Sequence, residues 1–139
     1  MISRIARCHC GDIELTCVGE PRKISMCHCL ECQRRTGSAF SIAVFYQREK
    51  VSVERGDPHS FERQSASGRP VKFHFCARCG SNLYWLPDRM PHLVGVAAGA
   101  FADPDFPMPD QSVWTRDKHG WLALPECMAQ HDANPPPRA

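Results

Sequence analysis

The sequence lacks any long hydrophobic run. Its longest uncharged stretch, Met90 to Ala102, is interrupted by Pro91, His92 and two glycines and is too short to span a bilayer. No membrane partner is expected. Charge of one sign is also scarce: 17 Lys and Arg against 15 Asp and Glu leave a net charge of +2, too small a surplus to neutralise a nucleic-acid backbone. Small molecules or proteins are therefore the expected partners, with no nucleic acid. The amino-terminal MISRIARCHC carries no apolar segment of the secretory kind, which predicts a cytoplasmic location. No window of a dozen residues shows a 3.6-residue apolar stripe, so helix content should be low. At 42% hydrophobic and 23% charged, the chain has the balance of a packed globular protein, and 139 residues suit one core.

Cysteine is what the sequence has in excess. There are nine, and in a reducing compartment metal ligation explains them better than structural disulfides. Seven fall into three groups: Cys8-His9-Cys10, Cys27-His28-Cys29-Leu30-Glu31-Cys32 and Cys76-Ala77-Arg78-Cys79-Gly80. In C-x-C on an extended chain, residues i and i+2 face the same side, so both thiolates can reach one ion. C-x-x-C-G closes a tight turn whose glycine tolerates positive φ. Joining Cys8 and Cys10 to Cys76 and Cys79 gives a closed zinc site with four thiolates, which would staple the amino-terminal strand to the middle of the chain. Cys27, Cys29 and Cys32 then remain as three thiolates without a convincing fourth. Three ligands and a vacancy describe a working zinc, but spacing leaves open closure by Cys17, His28 or a distant histidine, an iron-sulfur cluster, or thiol redox chemistry.

The remaining pattern is mostly strand. Ile13, Leu15 and Cys17 alternate with polar residues, which makes Cys17 a core residue. Further short strands are expected at Ser38–Tyr46, Lys50–Glu54, Val71–Phe75, Leu83–Trp85, Leu93–Ala97, Val113–Thr115 and Trp121–Leu124. A single domain over residues 1–127, followed by a flexible proline-rich tail over 128–139, is the expected organisation.

In order, CHCG, CHCLECQRRTGSAF, SGRPVKFHFCARCGSNLYW and VWTRDKHGW resemble the glutathione-dependent formaldehyde-activating enzyme (GFA) family, over about residues 4 to 125. The resemblance implies a mainly β fold of several short antiparallel coiled sheets around zinc sites, similar to that of Rab-exchange zinc proteins and methionine-R-sulfoxide reductases. It also implies two zincs per chain: a structural one on Cys8, Cys10, Cys76 and Cys79, and a catalytic one on Cys27, Cys29 and Cys32. The implied activity is that of an S-(hydroxymethyl)glutathione synthase, a carbon-sulfur lyase that adds glutathione or a similar thiol to formaldehyde or another small aldehyde. Where many relatives carry a histidine, this chain carries Ser112.

On that basis Arg34 and Arg35 would offset thiolate charge or grip a substrate carboxylate, and Gly37 would allow a close backbone approach to substrate. His28, between two ligands on a strand, should point away from the metal. Phe40, Trp85 and Trp114 fit core positions better than a pocket. The alternative is a non-enzymatic zinc-binding module for a thiol metabolite or a protein partner.

Overall fold

The structure is a computed structural model, described here for residues 2–65 and 68–135. Ser67 of the Ser-Gly-Arg-Pro turn and the last four residues of the tail lie outside the described residues. Among the described residues, eleven strands and one short α-helix follow one another: β1 (Ser3–Arg7), β2 (Glu14–Val18), β3 (Lys23–Cys27), α1 (Leu30–Thr36), β4 (Ser41–Gln47), β5 (Val51–Arg55), β6 (His59–Gln64), β7 (Pro70–Phe75), β8 (Asn82–Pro87), β9 (Leu93–Ala97), β10 (Gln111–Val113) and β11 (Ala129–Gln130). They build a three-stranded sheet in the order β1-β2-β5 and an eight-stranded sheet in the order β11-β10-β3-β4-β9-β8-β7-β6. Low helix content and a mainly β architecture are borne out.

Strand alternation divides the large sheet into two functional faces. One face carries Ile24, Val44, Tyr46, Val94 and Val96, which pack with Ala6, Leu15 and Cys17 of the small sheet in the main core. The opposite face carries a second apolar cluster of Ala43, Phe45, Val71, Trp85 and Leu93. Along β4, successive residues therefore serve different layers. The same period of two sends Cys27, at the end of β3, to the second face, where it pairs with Ser41 of β4 and with Val113 of β10.

Several elements differ from expectation. The sheets are not wholly antiparallel, because β10 runs parallel to both β3 and β11. β6 is exposed along its whole length, so it has no apolar alternation to betray it. α1 spans 7 residues, buries none of them fully, and is too short to show an apolar stripe. Trp121–Leu124 is turn and irregular chain rather than strand: the Leu122 N–H bonds back to the His119 carbonyl, and Trp121 is 72% exposed. The segment after residue 127 is not a free tail through its described part. Met128 is only 5% exposed, β11 pairs with β10, and the Trp114 indole N–H donates to Asn134 Oδ1 at 3.1 Å.

One close approach controls the second face. Trp85 of β8 lies opposite Gly95 of β9, and a Cβ added to Gly95 would meet Trp85 Nε1 at 2.5 Å and Cε2 at 2.8 Å. Because the indole is wedged between β7 and β9, relief needs a shift of the sheet. Gly95→Ala should lower the unfolding free energy by roughly 2 kcal/mol, read from a denaturant midpoint, and should shift the tryptophan emission.

Candidate functional site

The first cysteine cluster is assembled by two turns. After β1, the Gly11 N–H donates to the Cys8 carbonyl at 3.0 Å, and the Ile13 N–H donates to Cys8 Sγ at 3.2 Å. After β7, the Gly80 N–H donates to the Cys76 carbonyl at 2.7 Å with Gly80 at φ 77°. These turns leave the sulfurs of Cys8, Cys10, Cys76 and Cys79 within 4.8 Å of one another. Cys8 and Cys10 lie 3.6 Å apart, and Cys10 and Cys76 lie 3.7 Å apart. A tetrahedral ion with bonds of about 2.3 Å to sulfur requires edges of about 3.8 Å, so the donors stand at the spacing of a zinc shell. Their protons are unevenly held. The Ser81 hydroxyl and backbone N–H bring Cys79 down to about 5. The backbone N–H of Asp12 favours the Cys10 thiolate, but burial and the three neighbouring sulfurs outweigh it and push Cys10 up to about 12. A bound dication would replace the shared protons.

The second cluster sits where β3 turns into α1. Cys27 ends the strand, Cys29 caps the helix by accepting the Cys32 N–H at 3.3 Å, and Cys32 lies in the first turn. Their three sulfurs also lie within 4.8 Å of one another, and among the described residues no fourth His, Cys, Asp or Glu joins them. Hydrogen bonds from Cys27 and Cys29, helped by Arg35, overcome burial and bring Cys32 down to about 3, while Cys27, hydrogen-bonded to its two neighbours and buried, is pushed up and keeps its proton. The donor set is soft, compact and one ligand short, which fits a zinc ion with a position left for substrate.

A rigid network backs this turn. Gln33 Nε2 donates to the carbonyls of His28 at 2.9 Å and Asp117 at 3.0 Å. Gln33 Oε1 accepts from His119 Nε2 at 2.9 Å, so His119 Nδ1 is free to accept the Trp121 indole N–H at 3.2 Å. The CHCLECQ and KHGW segments are thereby locked together. His28 is wholly buried and lies outside the sulfur cluster, with Nε2 2.7 Å from Ser112 Oγ and Nδ1 unpartnered. A bare ring nitrogen costs less than a stranded N–H, which makes Nε2 the donor. Burial, with Lys118 nearby, pushes the His28 pKa down and keeps the ring neutral.

The cluster opens into a cavity of about 140 Å³ over the second face of the large sheet, with Cys27, Cys29, Cys32, Arg35, Trp85 and Trp114 in its wall. Arg35 is well placed: it donates to Ser41 Oγ at 3.0 Å, and its guanidinium lies 4.4 Å from the Trp85 ring and 4.7 Å from the Phe73 ring. Arg34 is not in the cavity wall. It is 73% exposed and pairs with Glu31 at 3.1 Å, because the next position on a helix points about 100° away. Gly37 does not reach the cavity either; it closes α1 in the left-handed region at φ 62°, with its N–H on the Gln33 carbonyl. Phe40 lies beside a separate cavity and faces His28 at 5.8 Å between ring centroids. Trp85 holds the core position expected of it, in the second apolar cluster, and also lines the main cavity; Trp114 lines the cavity instead of the core, turned by a left-handed φ of 57°. Arg89 also lines it, and sequence reasoning missed it because its turn shows no motif; only the β7–β8 pairing brings it there.

A mainly β protein with two cysteine clusters able to hold metal ions, one of four sulfurs and one of three at the main cavity, is the class these features define. The chain belongs to the glutathione-dependent formaldehyde-activating enzyme family, whose model matches residues 3–117. A protein of Halomonas elongata named "Putative glutathione-dependent formaldehyde-activating enzyme" is 28% identical over 123 residues, covering 84% of this chain and 78% of its own length. A crystal structure of a Rhodobacter sphaeroides protein, 24% identical, shares the fold with a TM-score of 0.52 over 71% of this chain and 86% of its own.

Two outcomes follow from the cysteine geometry. Cys76→Ser should remove one zinc per chain and lower the melting temperature sharply, whereas Cys29→Ser should remove one zinc and leave the fold, with metal content read by elemental analysis and folding by circular dichroism. In metal-free protein, Cys32 should stay ionised down to about pH 3. Its alkylation by iodoacetamide, followed by peptide mass spectrometry, should then be nearly flat from pH 8 to pH 5, where an ordinary thiol slows about tenfold per unit.

Proposed function

We propose that this protein is a zinc-dependent carbon-sulfur lyase of the S-(hydroxymethyl)glutathione synthase type, which joins glutathione or a similar thiol to formaldehyde or another small aldehyde in the reducing cytoplasm. The observation that carries this reading is the convergence of the Cys27, Cys29 and Cys32 sulfurs at the cavity with no fourth protein donor among the described residues. Family membership and the name of the Halomonas elongata relative support it.

Cys27, Cys29 and Cys32 would hold the zinc, which would accept the substrate sulfur as its fourth ligand and ease loss of the thiol proton. The thiol gives its proton to solvent, its sulfur forms a bond to the carbonyl carbon, and the carbonyl π pair moves to oxygen, which takes up a proton to give the hydroxymethyl thioether. Arg35 meets the charge that develops on that oxygen. Held by Ser41 and by the Trp85 and Phe73 rings, the guanidinium needs no reorganisation during the step. The apolar floor of Phe45, Val71 and Trp85 excludes competing water from the aldehyde. Cys8, Cys10, Cys76 and Cys79 would hold the structural zinc and stay outside the chemistry.

Exchange NMR on a glutathione and formaldehyde mixture tests the proposal. Zinc-loaded protein should accelerate adduct exchange well above the spontaneous rate. Cys29→Ala should return it to that rate, and Arg35→Met should cost about a hundredfold while retaining both zincs. Equal rates with and without protein would leave a non-enzymatic thiol-binding module.

A further inference from the structure

Five cationic side chains line the main cavity: Lys23, Arg35, Arg63, Arg69 and Arg89. Four are already engaged. Arg35 is held by Ser41 and two aromatic rings, Arg63 pairs with Glu31, Arg69 pairs with Asp88 at 2.8 Å, and Lys23 lies 5.4 Å from the Phe45 ring centre. The guanidinium of Arg89 has no hydrogen bond or ion pair among the described residues.

Its position is nonetheless fixed. Arg89 sits in the turn between β8 and β9, closed by the Met90 N–H on the Pro87 carbonyl at 3.1 Å. The neighbouring Asp88 is tied twice, through its N–H to the Pro70 carbonyl of β7 at 3.0 Å and through its carboxylate to Arg69 just before that strand. Arg69 thus spends its charge on holding the turn, and the turn presents Arg89 to the cavity mouth. Arg89 is exposed at the rim, yet enough protein crowds the guanidinium to push its pKa down. An unpaired guanidinium facing a cavity is a ready fork for a planar anion.

We infer that Arg89 is the specificity-determining contact for the thiol substrate, engaging a carboxylate carried by a thiol whose sulfur reaches the Cys27, Cys29 and Cys32 centre. The inference rests on the proposed placement of the thiol at that centre. It goes further by naming the residue that selects a carboxylate-bearing thiol. Neutral thiols of equal length enter the same cavity without this contact.

A matched pair of probes isolates the contact: 3-mercaptopropionate, which ends in a carboxylate, and 3-mercapto-1-propanol, which ends in a hydroxyl. Binding to zinc-loaded protein is measured by calorimetry, and binding to the cobalt-substituted form by its sulfur-to-metal absorption band. Wild type should bind the carboxylate probe about tenfold more tightly, the gain expected of one charge-assisted contact at a partly open site. Arg89→Met should bring the ratio close to one, and Arg89→Lys should restore part of it by returning the charge without the fork. Metal content and circular dichroism verify that each variant keeps its fold. A wild-type ratio near one, or a preference that survives Arg89→Met, overturns the inference. Because the readout is binding, a preference without accelerated adduct formation would overturn the lyase reading and leave this assignment standing.

Discussion

Everything at the site depends on the alternation of side chains across one eight-stranded sheet. A strand offers each face every second residue, so β3 and β4 give Ile24, Val44 and Tyr46 to the main core while turning Cys27, Ala43 and Phe45 the other way. A shift of one residue in register would exchange the two sets and drive a cysteine into the core. The pairing of β3 with β4 on one side and β10 on the other makes that slip costly. The cysteine centre is thus placed by the same packing that stabilises the protein.

Sulfur convergence carries an electrostatic cost that the surroundings offset. Three thiolates around one dication leave a net charge of −1, and a fourth sulfur makes it −2. Arg35 stands next to Cys32 and lowers its pKa, and the further cations of the cavity extend that positive field. These charges are kept apart by partners of their own: Glu31 for Arg63, Asp88 for Arg69, aromatic faces for Arg35. The four-cysteine cluster works differently. Ser81 and the backbone amides of its two turns supply the donors that favour thiolate, with Arg78 beside Cys10.

The legible parts of the sequence are those governed by short-range rules. Ile13, Leu15 and Cys17 alternate, and the strand they announce is β2, with Leu15 and Cys17 buried. C-x-x-C-G announces a turn and C-x-C, read as extended chain, a second pair of donors; the sulfurs do converge, although His9 and Cys10 lie in a turn rather than on a strand. β6 was illegible because its exposed edge imposes no apolar period, and α1 because seven residues make too few turns to show a stripe. Trp121–Leu124 misled because its apolar residues mimic a strand, whereas the indole lies outside and serves as a hydrogen-bond donor to His119. Arg34 and Arg35 are adjacent in sequence and equal in chemistry, yet the helix turns one to solvent and the other to the cavity.

Residue type and spacing were enough to determine a mainly β chain with two cysteine clusters, because ligand chemistry and strand periodicity act over a few residues. Long-range packing alone decided that β10 runs parallel to β3, that the segment from Met128 closes against the sheet, and that Arg89 reaches the cavity. Each of these joins residues far apart along the chain, and such contacts are set by the shape of the whole core rather than by any local pattern.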